Sequence, residues 1–357
     1  MKNQKRIRDF GIVIGTGKTG ERNKISDVPG VTVGHYTVRT EGHRTGVTVI
    51  HPCEDNMFRS KLVAASYVMN GFGKTAGLVQ VDELGSLETP IALTNTLNVG
   101  LVSDALVEYM RQWCEREKVP LRSINPVVGE CNDAGMNRIG ERVIGFKQVM
   151  QAIQSRTPDF EEGNVGAGTG TICHGLKGGI GSASRTMVIA GKTYTIGVLV
   201  QSNHGCLSRL QIGGRMIGQE ILAARAAEAG KESDQGSIMM IVGTDLPVTD
   251  RQLKRIIRRC AAGLAHLGSY FGHGSGDVMI GFSTANRIFS PAIPCLISCQ
   301  MINESALEQA FEWTAEATEE AVLNSLVCAE ADVMLSGKRV ESLRTYLEME
   351  QSGGKRP

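Results

Sequence analysis

Short apolar, β-branched runs recur at positions 44–51, 77–81, 90–93, 186–201, 237–243 and 277–282. Each reads as a strand. Within 186–201, Gly191-Lys192 divides Met187-Val188-Ile189 from the apolar run 194–200 and predicts a hairpin turn. Elsewhere the period changes. Apolar residues at 101, 102, 106, 107 and 110 place a helix over 98–115. A second helix is expected over 249–267, opened by Thr249-Asp250 and carrying Leu253, Ile256, Ile257 and Leu264 on one stripe. A third, long helix over 305–329 has Ser305 as its expected cap. Strands cluster with hairpins and do not alternate strictly with helices. That pattern predicts an α+β fold layered around a mostly antiparallel sheet.

No Pro- or Ser-rich linker and no internal repeat divides the 357 residues, so residues 1–357 are expected to form a single domain. Charge narrows the function classes. Lys and Arg total 38 against 37 Asp and Glu, which argues against a basic nucleic-acid binder. No run approaches the ~20 apolar residues of a membrane span. No apolar stretch of secretory length follows the basic start, Met1 to Arg8, so a cytoplasmic location is expected. The nine Cys are scattered without a CxxC pair. Cys295 and Cys299 have CxxxC spacing, but no second pair completes a zinc set. They are expected to be small buried hydrophobes. Gly is abundant, 43 residues against 10 Pro, which points to tight turns and close backbone approaches.

Four segments invite a chemical reading. Gly15 to Gly20 (GTGKTG) looks like a phosphate loop, but position 12 is Ile where a Walker loop needs Gly, so a surface turn is expected. Segment 163–181 holds eight Gly in nineteen residues without the GxGxxG spacing. It suits either a ligand-cradling loop or a tight crossover beside a packed sheet. In DQGSIMMIV (234–242), a polar stretch from Lys231 to Gly236 runs into a strand beginning with Ser237. Ordinary turn chemistry explains it. So does a nucleophile: if the Gly236–Ser237 bond is cut, the new α-amine of Ser237 can act as base for its own hydroxyl. Last, GHGSGD (272–277) enters a strand with Ser275 and Asp277 two apart, on one face of extended chain. His273 suggests a Ser–His–Asp triad, but no GxSxG elbow exists, so it is expected to be a loop residue.

Several longer segments, in the same order, resemble the DmpA-type aminopeptidases, a family of L-aminopeptidases/D-amidases/D-esterases and β-peptidyl aminopeptidases. They are NKISDVPGVTVG (23–34), RTGVTVI (44–50), TNTLNVGLV (94–102), PVVGE (126–130), VGAGTGTICHGLKGGIGSASR (165–185), GVLVQSN (197–203), SIMMIVGTDLP (237–247) and the 272–277 turn. The resemblance covers essentially the whole chain. It implies two sheets between helical layers, an α/β/β/α sandwich like that of N-terminal-nucleophile (Ntn) hydrolases but with different connectivity. It also implies self-cleavage into residues 1–236 and 237–357, assembly as homotetramers of such αβ units, and no cofactor or metal.

By the same resemblance, Ser237 is the nucleophile, Ser275 and Asp277 its hydroxyl and acidic partners, and Asn203 the donor to the oxyanion. Glu130 receives the substrate's free amine. A Tyr that the family places shortly after this Glu is missing from CNDAGMNR (131–138), which bears on pocket shape. The implied substrates are small peptides and amino acyl amides or esters, with no nucleic acid or membrane partner. Two alternatives stay open. An acyltransferase of the ornithine acetyltransferase type shares the architecture but uses Thr where this chain has Ser237. A non-catalytic member of the fold would neither cleave itself nor hydrolyse amides.

Overall fold

Two β-sheets stack face to face between two layers of helices. The computed structural model describes residues 4–225, 235–290 and 295–352. The strands are β1 Thr32–Thr40, β2 His43–His51, β3 Ser60–Gly71, β4 Ser86–Leu87, β5 Ile91–Asn95, β6 Val127–Cys131, β7 Ile172–Cys173, β8 Leu176–Lys177, β9 Ile180–Ile189, β10 Lys192–Asn203, β11 Gln235–Thr244 and β12 Gly274–Phe289, followed by the short β13 Asp332–Val333 and β14 Arg339–Val340. The helices are α1 Leu78–Leu84, α2 Val99–Arg116, α3 Phe146–Gln154, α4 Ile217–Ala224, α5 Asp250–Ile257, α6 Cys260–His266, α7 Leu307–Cys328 and α8 Leu343–Gln351. One sheet has the order β1-β2-β5-β6, the other β4-β3-β12-β11-β10-β9. Most neighbours run antiparallel, but β5–β6 and the central pair β11–β12 are parallel.

Side-chain alternation sorts the layers. From β11, Met239 and Ile241 enter the core between the sheets with Ile50, Leu93, Val127 and Leu199. Ile238, Met240 and Val242 point the other way and pack with Leu253, Ile257, Leu264 and Val322 of α5, α6 and α7. On the far side, Val47, Val49 and Val128 of the smaller sheet meet Val102 and Leu106 of α2 and Val149 of α3. The order is helices, sheet, sheet, helices, as the α+β reading and the resemblance implied.

Helix α7 carries buried charge into this frame. Arg185 of β9 is fully buried, and it pairs with Glu316 at 2.9 Å and Glu320 at 2.8 Å. Such charges are tolerable only because each has its partner. The 15–20 turn serves the same cluster: Thr16 and Gly17 donate backbone N–H bonds to the Glu316 carboxylate at 2.8 and 3.0 Å. The loop that mimics a phosphate cradle holds an internal carboxylate. The Gly-rich segment is a packed crossover. A Cβ on Gly170, Gly179 or Gly181 would fall 2.0–2.2 Å from a backbone oxygen of Arg44, Gly163 or Ala321.

Several expectations need correction. Positions 77–81 open helix α1, with Gly77 (φ 88°) and Gly85 (φ 60°) at its ends. In so short a run, strand and helix patterns cannot be told apart by period. The 249–267 helix breaks at Arg258 and Arg259, whose guanidinium groups lie over the Tyr67 and Phe311 rings. Past the break, Gly263 lets α6 approach α7 so closely that a Cβ would meet Ala315 O at 2.4 Å. Ser305, the expected cap of the last long helix, lies inside a 3-10 turn that Asn303 caps by accepting from Ser305 N, and α7 follows with no side-chain cap of its own. The hairpin turn is Ala190-Gly191, one residue earlier than expected, with both residues at positive φ. Strands β1, β3 and β6 were not read from sequence. Cys295 and Cys299 are exposed, contrary to expectation, while the other seven Cys are buried. Of the Lys231 to Gly236 stretch, 231–234 lie outside the described residues, as do Met1 to Asn3 of the basic start.

Candidate active site

The central strands bring four of the sequence-nominated residues to one place. Ser237, the third residue of β11, lies opposite Asn203 on β10 and beside Gly276 on β12. It shares the alternation of Met239 and Ile241, so its side chain faces the space between the sheets. Gly276 makes room for it: a Cβ there would sit 3.0 Å from Ser237 Oγ and 2.8 Å from Phe72 O. Gly236, immediately before, has φ 112°, and a Cβ on it would lie 1.9 Å from Asn203 O. No other residue type fits that backbone without displacing β10.

Ser275 and Asp277 are almost wholly buried, and Ser275 Oγ donates to Asp277 Oδ1 at 2.7 Å. They pair in register with Gly236 and Ile238, so they bracket Ser237 across the parallel ladder. Alternation along β12 gives them the face of Met279, opposite to Val278 and Ile280. The hydroxyl–carboxylate pair therefore lies toward the main chain of Gly236–Ser237 and away from the Ser237 hydroxyl. His273 is exposed on the preceding turn and takes no part in this pair.

Asn203 has a fixed amide. Its Oδ1 accepts from Ile172 N at 2.9 Å, and Nδ2 donates to Asn132 O at 3.1 Å. The backbone N–H of Ile172 settles which end of the amide is oxygen, and Nδ2 carries a second hydrogen beyond the one given to Asn132.

Glu130 is the penultimate residue of the buried strand β6. Lys74 N donates to its Oε1 at 2.8 Å, and Thr96 Oγ1 donates to its Oε2. A Cβ on Gly73 would lie 3.4 Å from Glu130 Oε1 and 3.8 Å from Gly276 Cα. One glycine therefore separates the carboxylate from the strand beside Ser237. The next residue, Cys131, has one S–H, which is shared between Gln201 O at 3.4 Å and Ser237 O at 3.5 Å from Sγ. Burial, with Glu130 and Asp277 nearby, pushes its thiol pKa well up, so the S–H donor is retained.

Gly73, Thr96, Cys131 and Gly276 were not singled out as site residues. Thr96 and Gly276 lie inside segments quoted for the resemblance, but only the tertiary fold puts them against Glu130 and Ser237. The loop after Glu130, which lacks the aromatic, is filled by polar groups: Asn137 Nδ2 donates to Asp133 Oδ1 at 2.9 Å. Burial raises the Asp133 carboxyl pKa to about 6.

Solved structures share this architecture. The L-aminopeptidase D-Ala-esterase/amidase of Ochrobactrum anthropi, a prototype for the serine aminopeptidases and a variant of the Ntn hydrolase fold, matches with a TM-score of 0.88 at 32% identity, over 99% of both chains. A protein from Pyrococcus horikoshii OT3 matches with a TM-score of 0.89 at 42% identity, over 98% of this chain and 100% of its own. The fold and its serine-centred site define an Ntn-like serine hydrolase acting as an aminopeptidase. Residues 23–340 match peptidase family S58. The β-peptidyl aminopeptidase BapA of Sphingosinicella microcystinivorans is 36% identical over 359 residues, covering 95% of this chain and 89% of BapA. The chain belongs to peptidase family S58.

Proposed function

We propose that the protein cleaves its own Gly236–Ser237 bond and then uses Ser237 as an N-terminal nucleophile to remove N-terminal amino acids from small peptides, amides or esters. The observation that carries this reading is the placement of Gly236–Ser237 in the ladder, with Asn203 opposite and the Ser275–Asp277 pair alongside. In self-cleavage the Ser237 hydroxyl attacks the Gly236 carbonyl carbon, the C–N bond breaks, and water hydrolyses the resulting ester. The products are a Gly236 carboxylate and a Ser237 bearing a free amine.

In turnover, Ser237 Oγ attacks the substrate carbonyl while the α-amine takes its proton. The ammonium gives that proton to the departing amine, and water releases the acyl group. Ser275 and Asp277 lie on the main-chain side, which favours a role in holding and polarising the α-amine over direct contact with Oγ. Asn203 Nδ2 donates to the developing oxyanion. Glu130, oriented by Lys74 N–H and Thr96 O–H, receives the substrate ammonium. The β-peptidyl activity in the name of BapA supports including β-amino acyl substrates. We extend the proposal to a cytoplasmic homotetramer of processed units. Exposed Phe72, Val79, Leu84 and Leu296 supply apolar surface for such assembly.

Intact mass spectrometry of the wild type beside Ser237→Ala tests the reading. Two chains that meet at 236/237 in the wild type, a single chain in the variant, and amidase activity only in the wild type are expected. An intact but active wild type would overturn the free-amine mechanism.

A further inference from the structure

A second constellation lies against the back of this site and takes no part in the reaction above. Cys173 ends β7, His174 begins the turn after it, and His204 follows Asn203 at the end of β10. All three side chains are buried, and one ligating atom from each lies within 4.8 Å of the others. The sequence gives no sign of this, because ligands at 173, 174 and 204 match no zinc-motif spacing.

We infer that Cys173, His174 and His204 form a binding site for a borderline-soft divalent metal ion of the zinc class. The Cys173 Sγ to His204 Nδ1 separation is 3.7 Å. A tetrahedral zinc with bonds of about 2.3 Å to sulfur and 2.0 Å to nitrogen sets that edge at about 3.5 Å. His174 is aimed by a partner outside the cluster. Its Nδ1 donates to Cys206 O at 3.0 Å, leaving Nε2 as the lone-pair nitrogen, the arrangement that orients metal-binding imidazoles. The imidazoles of His174 and His204 approach edge to face at 5.1 Å between centroids. His174 holds a left-handed backbone (φ 49°), which lets two adjacent residues turn their side chains to one point. Two imidazoles and one sulfur suit zinc or cobalt and disfavour magnesium or calcium. Binding replaces the Cys173 S–H proton with the metal and releases that proton to solvent.

The site's position gives the ion a task. Asn203 is held through the N–H of Ile172. Cys173 and His174 follow Ile172, and His204 follows Asn203. An ion there ties together the two segments that the Asn203 amide already bridges. A Cβ on Gly236 would come 3.4 Å from His204 Cα, so the clamp also backs the proposed cleavage bond. The ion thus acts on Asn203 through the backbone of the two segments that hold its amide.

The test uses the full chain carrying Cys295→Ser and Cys299→Ser, which removes the two exposed thiols. Chelator-treated protein is titrated with Co²⁺, followed by competition with Zn²⁺ and with Mg²⁺. The expected result is one Co²⁺ per chain, with a thiolate-to-cobalt charge-transfer band and the intense visible bands of a tetrahedral ion. Zn²⁺ should abolish these bands and Mg²⁺ should not. Cys173→Ser should lose the charge-transfer band. His174→Gln should weaken Co²⁺ binding at least tenfold while keeping the band at saturation, so the pair stays informative if either variant folds poorly. Absence of the bands, or binding unchanged in both variants, overturns the assignment. Loss of all cobalt binding on removing Cys295 and Cys299 does so as well.

Discussion

Asn203 faces Ser237 across the β10–β11 ladder, with its amide oxygen already engaged by Ile172 N–H at 2.9 Å. The group proposed to stabilise the oxyanion is thus held in orientation before substrate arrives. Removing it should act on the chemical step. Asn203→Ala is expected to lower kcat by about 10²–10³-fold, equivalent to about 2.7–4 kcal/mol, with little change in KM. Steady-state kinetics on an amino acyl p-nitroanilide provide the check, and a rise in KM alone would place Asn203 in binding instead.

Gly236→Ala should block maturation. The added methyl group has 1.9 Å to Asn203 O, and φ 112° is closed to alanine. The variant should remain one chain for far longer than the wild type in a mass-spectrometric time course. Wild-type cleavage kinetics would mean that the strand shifts before the bond breaks.

Asp277→Asn keeps an acceptor for Ser275 and removes the charge. A neighbouring carboxylate stabilises an ammonium, so its loss should lower the pKa of the proposed catalytic amine. The acid limb of the kcat/KM profile should move to lower pH. An unmoved limb would separate Asp277 from the base.

Glu130→Gln should discriminate between substrates. A charge-assisted hydrogen bond contributes about 1.5–3 kcal/mol, so kcat/KM for free-amine substrates should fall by roughly 10–100-fold. Esters whose amine is acylated should be insensitive to the change. Equal losses on both substrate types would indicate damage to the site as a whole.

Acid sensitivity follows from His51. It is fully buried against Tyr109 and Trp113, and burial, aided by Arg156, holds its pKa at about 4 against an ordinary 6.5. Between these values the unfolded chain binds a proton that the folded chain does not. Stability is therefore complete above pH 6.5 and falls as pH drops toward 4, by on the order of 3 kcal/mol from this residue. His51→Phe keeps a ring beside Trp113 and should flatten the slope in urea titrations at pH 4–7.

Local patterns carried much of the fold into view. The Thr249 cap is closed by Gln252 in a reciprocal box, and the 98–115 stripe became α2. Strand β11 was visible because both of its faces are apolar. Strand β3 was hidden because its middle, Ala64-Ala65-Ser66, lacks the β-branched residues that mark a strand. Among the candidate site residues, Ser275 and Asp277 share one face of β12 as their two-residue spacing predicts. Glu130 and Asn203 rested on resemblance, since nothing local ties a carboxylate on β6 to a serine on β11. The Cys173–His174–His204 group lay beyond sequence reading for the same reason: β10 brings His204 back across thirty positions.

The proposed cut falls inside a strand that is hydrogen-bonded on both sides. From Ser237 onward, β11 is paired with β10 from the first piece and β12 from the second, and α7 of the second piece covers β9 and β10 of the first. Severing Gly236–Ser237 would therefore release nothing, yet it would change the molecularity of folding. A precursor refolds as one chain, whereas the matured pair must find each other, so its recovery from denaturation becomes second order and dilution-sensitive. Maturation would commit each molecule to a fold it can no longer regain alone.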